Sequence, residues 1–267
     1  MLNLTIHGAR GSLPGARSSA EFGTASICAV ARGAGSAVIL DAGSGAAAAG
    51  AALLEEGHVE IDLILSHLHL DHVISLPFLP QLLRGDGLVR VHLSQRYGPD
   101  PAAVLGELLR APWFPVPLSG LRGRIEGHPI ADGATLRVGG LSVETAPLNH
   151  PGGATGVRIS DGAEAVAVLL DHEPGDDRID AGVCRLMQGC RVAVMDAAWT
   201  PEEAPARAGW GHGCWEACIR LARRTDVAAI LLSHHAPSRD DTALLHEEAR
   251  ARQAWSGARM ARQDEVI

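Results

Sequence analysis

The sequence contains no lysine. All 23 basic residues are arginine, set against 31 acidic ones, and the formal charge is −8. The missing lysine reads as compositional bias rather than chemistry. The acidic balance argues against a broad nucleic-acid footprint, which needs many phosphate contacts. Long apolar runs are also absent. The longest, an Ala/Gly-rich stretch near Ser44–Leu54, is well short of the about 18 residues that a membrane span requires. The N-terminal residues Met1–His7 alternate like a strand and carry no basic leader, which speaks against a signal peptide. Paired cysteines are lacking too. Cys28, Cys184, Cys190, Cys214 and Cys218 form no CxxC and are odd in number, so no disulfide framework is expected and a reducing cytoplasm is the expected setting.

What is present is a globular composition. The 267 residues are 46% hydrophobic and 20% charged, enough for a substantial buried core. No repeat, linker or charge block divides the chain, so one domain over 1–267 is expected. The first 65 residues read as strands broken by glycine loops: Leu2–His7, a loop Gly8–Gly23, then Ser26–Arg32 and Ala37–Asp41 about the turn Gly33-Ala34-Gly35. A helix over Ser44–Glu56, capped by Ser44, precedes the buried strand Ile61–Leu65. The middle predicts a helix before Arg84, a strand at Val89–Leu93 and a helix near Pro101–Arg110. Strands follow at Arg124–Ile130, Thr135–Val138, Leu141–Ala146, Thr155–Ile159 and Ala165–Leu170. The last third alternates: helix Asp180–Met187, strand Val192–Met195, helix Trp215–Arg224, strand Ala228–Leu232 and a helix from Thr242. Two β-rich sheets flanked by helices fit this order.

The chemistry concentrates in Ser66-His67-Leu68-His69-Leu70-Asp71-His72. Three imidazoles and a carboxylate follow directly on a buried strand. Extended geometry puts His67 and His69 on one side. Asp71 and His72 come as the chain turns toward a helix and address a second point nearby. One ion does not easily take all four, but two adjacent ions can. Imidazole and carboxylate without thiolate suit zinc first, with manganese or iron left open.

This HxHxDH run resembles the signature of the metallo-β-lactamase superfamily. The resemblance implies a four-layer αββα sandwich of the α/β (α+β) class, with a dinuclear metal site at one edge. It also implies further ligands: His150 after a later strand, Asp171 as a bridging carboxylate at the end of the next, and His234 after a late strand. By resemblance, His67, His69 and His150 would bind one metal, Asp71, His72 and His234 the other, and Asp171 would bridge them. His128 stands as the alternative to His150, and His235 as the alternative to His234. His172 would point away from Asp171. His7, His58, His92 and His246 have no polar partners in sequence.

Three further segments resemble the phosphodiesterase branch of that superfamily, which includes the tRNA 3′-processing endonucleases: Arg10-Gly11-Ser12-Leu13-Pro14, Asp41-Ala42-Gly43-Ser44-Gly45 and Gly211-His212-Gly213. His212 and Asp71 are then the expected catalytic residues, with His212 protonating a leaving alkoxide. Asp41 and Asp196 would support ligand imidazoles, and Arg10 would hold a phosphate oxygen. Departures bear on the substrate: Ala25 stands where relatives often carry Asn, and Ala236 where an acidic residue is usual. A metal-activated water attacking a small or nucleotide-like phosphodiester is the expected reaction. The other readings are a lactonase or thioesterase, a tRNA endonuclease, and a metal-binding accessory or sensor protein without turnover. A small ester is the expected partner and a long nucleic acid is not. A membrane role is not expected, and a homodimer is left open.

Overall fold

The computed structural model describes residues 1–15 and 19–267; residues 16–18 of the loop expected over 8–23 lie outside the described residues. The first sheet runs in sequence order: β1 (Asn3–Gly8), β2 (Cys28–Gly33), β3 (Ser36–Leu40), β4 (Glu60–Leu65), β5 (Leu88–Ser94) and β6 (Arg124–Ile130). β1 to β3 pair antiparallel, and β3 to β6 pair parallel. Ala34 and Gly35 turn β2 into β3 with φ of 48° and 72°, the positive pair that a two-residue hairpin loop needs to match strand twist. The second sheet holds β7 (Thr135–Val138), β8 (Leu141–Leu148), β9 (Ala154–Ser160), β10 (Ala165–Leu169), β11 (Val192–Asp196), β12 (Ile230–Ser233) and β13 (Ala258–Met260), adjacent in that order. β7 to β10 are antiparallel and β10 to β13 parallel.

Strands covered on both faces read as continuous apolar runs because neither face meets water. Neighbouring residues then serve different layers, by the period-two alternation of a strand. Ile64 and Val168 join the core between the sheets with Ile6, Val143 and Val194. Leu63 faces outward to α1 (Ala46–Glu55) and α3 (Pro101–Leu108), packing with Leu53 and Leu105. Leu169 faces outward to α4 (Asp177–Met187), α5 (Trp215–Ala222) and α6 (Asp241–Ala254), against Val183, Ile219 and Leu244. The layers are therefore helix, sheet, sheet, helix, as the αββα expectation had it. A short α2 (Leu70–Val73) follows β4.

Four details correct the sequence reading. The helix expected before Arg84 is two 3₁₀ turns, Leu76–Phe78 and Pro80–Leu83. Pro80 lacks an N–H and holds Leu79 extended at ψ 124°, which breaks a continuous helix. Ser44 does not cap α1, which starts at Ala46; its hydroxyl accepts the Ser26 N–H at 2.7 Å and latches two loops. α4 starts at Asp177, because Asp176 caps it by accepting the N–H groups of Arg178 and Ile179. β13, unanticipated, extends the parallel edge beside β12. All five cysteines are free thiols. Among the described residues no helix is long and apolar enough to cross a membrane.

β3, β4, β10, β11 and β12 all end on the same side, where open α/β sheets gather their ligand-binding loops. The chemistry is assembled there.

Candidate metal centre

Beyond Leu65 the chain leaves the sheet, stays extended through His69 and enters α2. The rings of His67 and His69 meet edge to face at 4.5 Å, as neighbours on one side. Asp71 and His72 fall in the single turn of α2, both buried. The turn between β8 and β9 adds His150, whose Nε2 lies 3.1 Å from Nδ1 of His69. His67, His69 and His150 thus each bring a nitrogen within 4.8 Å of the other two, and Asp71, His72 and His234 bring a second such trio together.

Asp171 stands between the trios. Its Oδ1 is 3.9 Å from His67 Nε2, 3.7 Å from His150 Nε2 and 3.3 Å from His234 Nε2, and its Oδ2 is 3.0 Å from His72 Nε2. His67 Nε2, His72 Nε2, His234 Nε2 and Asp171 Oδ2 are buried without a hydrogen-bond partner. A buried polar atom left unpaired costs about 1–3 kcal/mol, so four gathered about Asp171 fit a place built to hold cations. The residues fit a divalent metal. The donors are nitrogen and oxygen without sulfur, the set suited to zinc, manganese or iron.

The protonation states agree with that use. Burial pushes His67 down to about 2 and lowers His150, which keeps their lone pairs free. Burial also lowers His234, but the charges of Asp171 and Asp196 outweigh it and raise the ring to about 9. Burial raises the Asp71 carboxyl, while the His234 and His72 rings beside it hold it well below the usual carboxylate range. Burial lowers His72 too, but the charges of Asp171 and Asp41 raise it well above its ordinary value, so metal binding at these rings would be coupled to proton release.

The far sides of the rings are held. Asp41 Oδ2 contacts His72 Nδ1 at 2.9 Å and accepts the Ser66 hydroxyl at 2.9 Å, while Oδ1 accepts the Ser66 N–H at 2.7 Å. The Ser66 hydroxyl is 3.0 Å from His67 Nδ1, so one carboxylate orients two imidazoles. His150 Nδ1 donates to the Gly211 carbonyl at 3.0 Å. Asp71 Oδ2 accepts the Ser12 N–H at 2.7 Å. Asp41, Asp171 and His234 have φ of 58°, 61° and 61°, left-handed conformations that non-glycine residues seldom adopt. Asp41 and His234 directly follow the last residues of β3 and β12, and Asp171 lies two residues past β10; such strain gathers at functional sites.

Asp196, ending β11, is buried. Its Oδ2 accepts the proton of His212 Nδ1 at 2.7 Å and the Asp171 N–H at 3.2 Å, and its Oδ1 accepts from Ala198 and Gly213. Asp196 and His212 also stand near Asp171 and His234, but these bonds already engage Asp196. His212 is stacked on His234 at 4.6 Å with its Nδ1 committed to Asp196.

Of the histidine alternatives, His150 rather than His128 joins the cluster; His128 is exposed on β6 and stacks on His92, which pairs with Asp62. His234 rather than His235 faces it, since His235 Nε2 donates to the Ala261 carbonyl at 2.8 Å. His172 turns away to Asp180. Arg10 corrects the expectation of a phosphate contact. It is 1% exposed, and its guanidinium donates to the carbonyls of Gly23 and Arg239, tying the N-terminal loop to the chain beyond β12. Sequence reading missed Ser66 and Glu173. Glu173 accepts the N–H groups of Gly209 and Gly211 and so holds the loop that carries His212. An acidic residue two positions after Asp171 was the only signal for it.

Residues 37–235 match the family model of the beta-lactamase superfamily domain. The uncharacterized protein ML1173 of Mycobacterium leprae is 27% identical over 206 residues, which cover 76% of this chain and 69% of that protein. Among solved structures, the metallo-beta-lactamase fold protein YhfI from Bacillus subtilis superposes with a TM-score of 0.74 at 17% identity, over 100% of this chain and 98% of that one. A diphosphatase from the PhnP family gives 0.73 at 15% identity, over 100% and 97%. The short form of human tRNase Z gives 0.69 at 15%, over 99% and 98%. At these identities the structural likeness speaks for the fold. The chain belongs to the beta-lactamase superfamily and has the metallo-β-lactamase fold.

Proposed function

We propose that this chain is a metal-dependent hydrolase that cleaves a small, nucleotide-like phosphodiester at a two-metal centre, with zinc the first choice of ion, in the cytoplasm. The observation that carries this reading is the three-histidine trio and the Asp71, His72 and His234 trio with Asp171 between them. His67, His69 and His150 would hold one ion, Asp71, His72 and His234 the second, and Asp171 would face both. Two divalent ions supply an acidified water and offset the charge on the attacking and leaving oxygens. The protein's own groups do the rest. Asp71, kept ionised, takes a hydrogen bond from the attacking water and orients it. Asp196 fixes His212 through Nδ1, so Nε2 is the nitrogen that hands a proton to the leaving alkoxide as the P–O bond breaks.

A phosphodiester is favoured over a lactone or thioester because His212 has a defined partner and place, and those esters share the seven ligands without needing it. The acidic chain, without lysine, is unsuited to gripping a long nucleic acid. The test is a panel of bis(p-nitrophenyl) phosphate, lactones and thioesters with the zinc-loaded protein. Turnover of the phosphodiester well above the others supports the proposal. Faster turnover of a lactone or thioester, or no turnover of any ester with metals bound, overturns it.

A further inference from the structure

Trp210 is 59% exposed, although a tryptophan gains more than most side chains from burial. Its backbone is nevertheless fixed on both sides. Glu173 accepts the N–H of Gly209 at 2.8 and 2.9 Å and that of Gly211 at 2.8 Å. The Trp210 N–H donates to the Arg207 carbonyl at 3.1 Å. Gly209 and Gly211 have φ of 83° and 86°, so two glycine bends lift Trp210 out between anchored points. The next residues are functional: Gly211 receives His150, and His212 bonds Asp196.

The ring is backed as well. Trp199 meets the Trp210 ring edge-on, with centroids 6.0 Å apart at 80°, and meets the His212 ring at 6.0 Å and 78°. The Arg207 guanidinium lies 4.5 Å over Trp199 and holds it from a further side, a cation–π contact. A chain of aromatic rings thus runs from the candidate proton donor out to solvent, ending in an indole on a rigid support.

We infer that Trp210, backed by Trp199, is a stacking platform for the base of a nucleoside phosphate whose phosphoryl group lies at the metal centre. This rests on the phosphodiesterase reading and names its substrate class. An aromatic face stacks on any nucleobase and needs no charge, which suits an acidic chain without lysine. The ring ends a chain of aromatic contacts that starts at His212 and passes through Trp199, so it borders the way from the site to solvent.

Calorimetric titration of the zinc-loaded chain with adenosine 5′-monophosphate and with ribose 5-phosphate tests the platform, for wild type, Trp210→Ala and Trp210→Phe. The wild type should bind the nucleotide about tenfold more tightly, the scale of one base-on-aromatic stack. Trp210→Ala should remove that gap with zinc content and ribose 5-phosphate affinity unchanged, and Trp210→Phe should keep most of it. Equal affinities in the wild type, or a full gap in Trp210→Ala, would overturn the inference. Because this readout is binding, a Trp210-dependent gap without phosphodiester turnover sinks the functional reading and leaves the platform standing. Turnover without a gap does the reverse.

Discussion

Asp41 and Asp196 perform one task at opposite ends of the cluster. Each is a buried carboxylate whose oxygens are already engaged by the protein, and each holds the Nδ1 of a histidine, His72 or His212, to which the proposed function gives a role. For His212 this gives a sharp expectation. His212→Ala should leave the metals bound and lower kcat by about 10²–10⁴, the usual worth of a positioned general acid; steady-state kinetics with metal analysis on the same sample checks it, and unchanged kcat removes His212 from the mechanism. At this scale the sequence was legible where chemistry is contiguous. His67 to His72 announce themselves in six residues. His150, Asp171 and His234 were reachable only through the family resemblance, which points to residues after later strands. Ser66 and Glu173 act through hydroxyl and backbone N–H contacts that no spacing reveals. Arg10 was misjudged because an arginine in a glycine loop gives no sign that two distant carbonyls will bury it.

At the scale of elements, loops rather than strands set the geometry. Gly211 shows why. A Cβ built there would lie 2.2 Å from His150 Nδ1 and 2.4 Å from Pro151 Cδ, and its φ of 86° suits glycine alone. Gly211→Ala should therefore shift His150 and weaken metal binding about 10- to 100-fold, as loss of an orienting partner does, while the fold survives. A zinc-chelator competition titration with circular dichroism measures both. Native zinc affinity in the variant would show that the loop does not position His150. Apart from β13, the strands were legible within a residue or two because apolar runs such as Ala165–Leu169 and Val192–Met195 allow little else. The 3₁₀ turns around Pro77 and Pro80 were not, since an apolar run with prolines carries a helical pattern that the backbone does not follow.

Across the whole molecule, the candidate ligands come from both sheets. His67, His69, Asp71 and His72 follow β4 of the first, and His150, Asp171 and His234 follow β8, β10 and β12 of the second. Metal would tie the two sheets together at one edge. Zinc at about 100 times its Kd should stabilise the fold by about 2.7 kcal/mol for each ion bound, which raises Tm by roughly 5–10 °C per ion for a chain of this size. Thermal melts with and without chelator check this, and coincident melts would place the metals outside the fold. The charge of −8 also reads differently at this scale. Two ligand carboxylates against two divalent ions leave the pocket about +2, so an acidic protein can still receive a small phosphate ester. The central claim is a two-metal hydrolytic centre built around Asp171, and its most direct test is metal content per chain, measured with phosphodiester turnover on the same samples. The account expects two ions per wild-type chain and loss of both ions and turnover in Asp171→Ala. One ion or none in a fully active wild type, or an active Asp171→Ala, would contradict it.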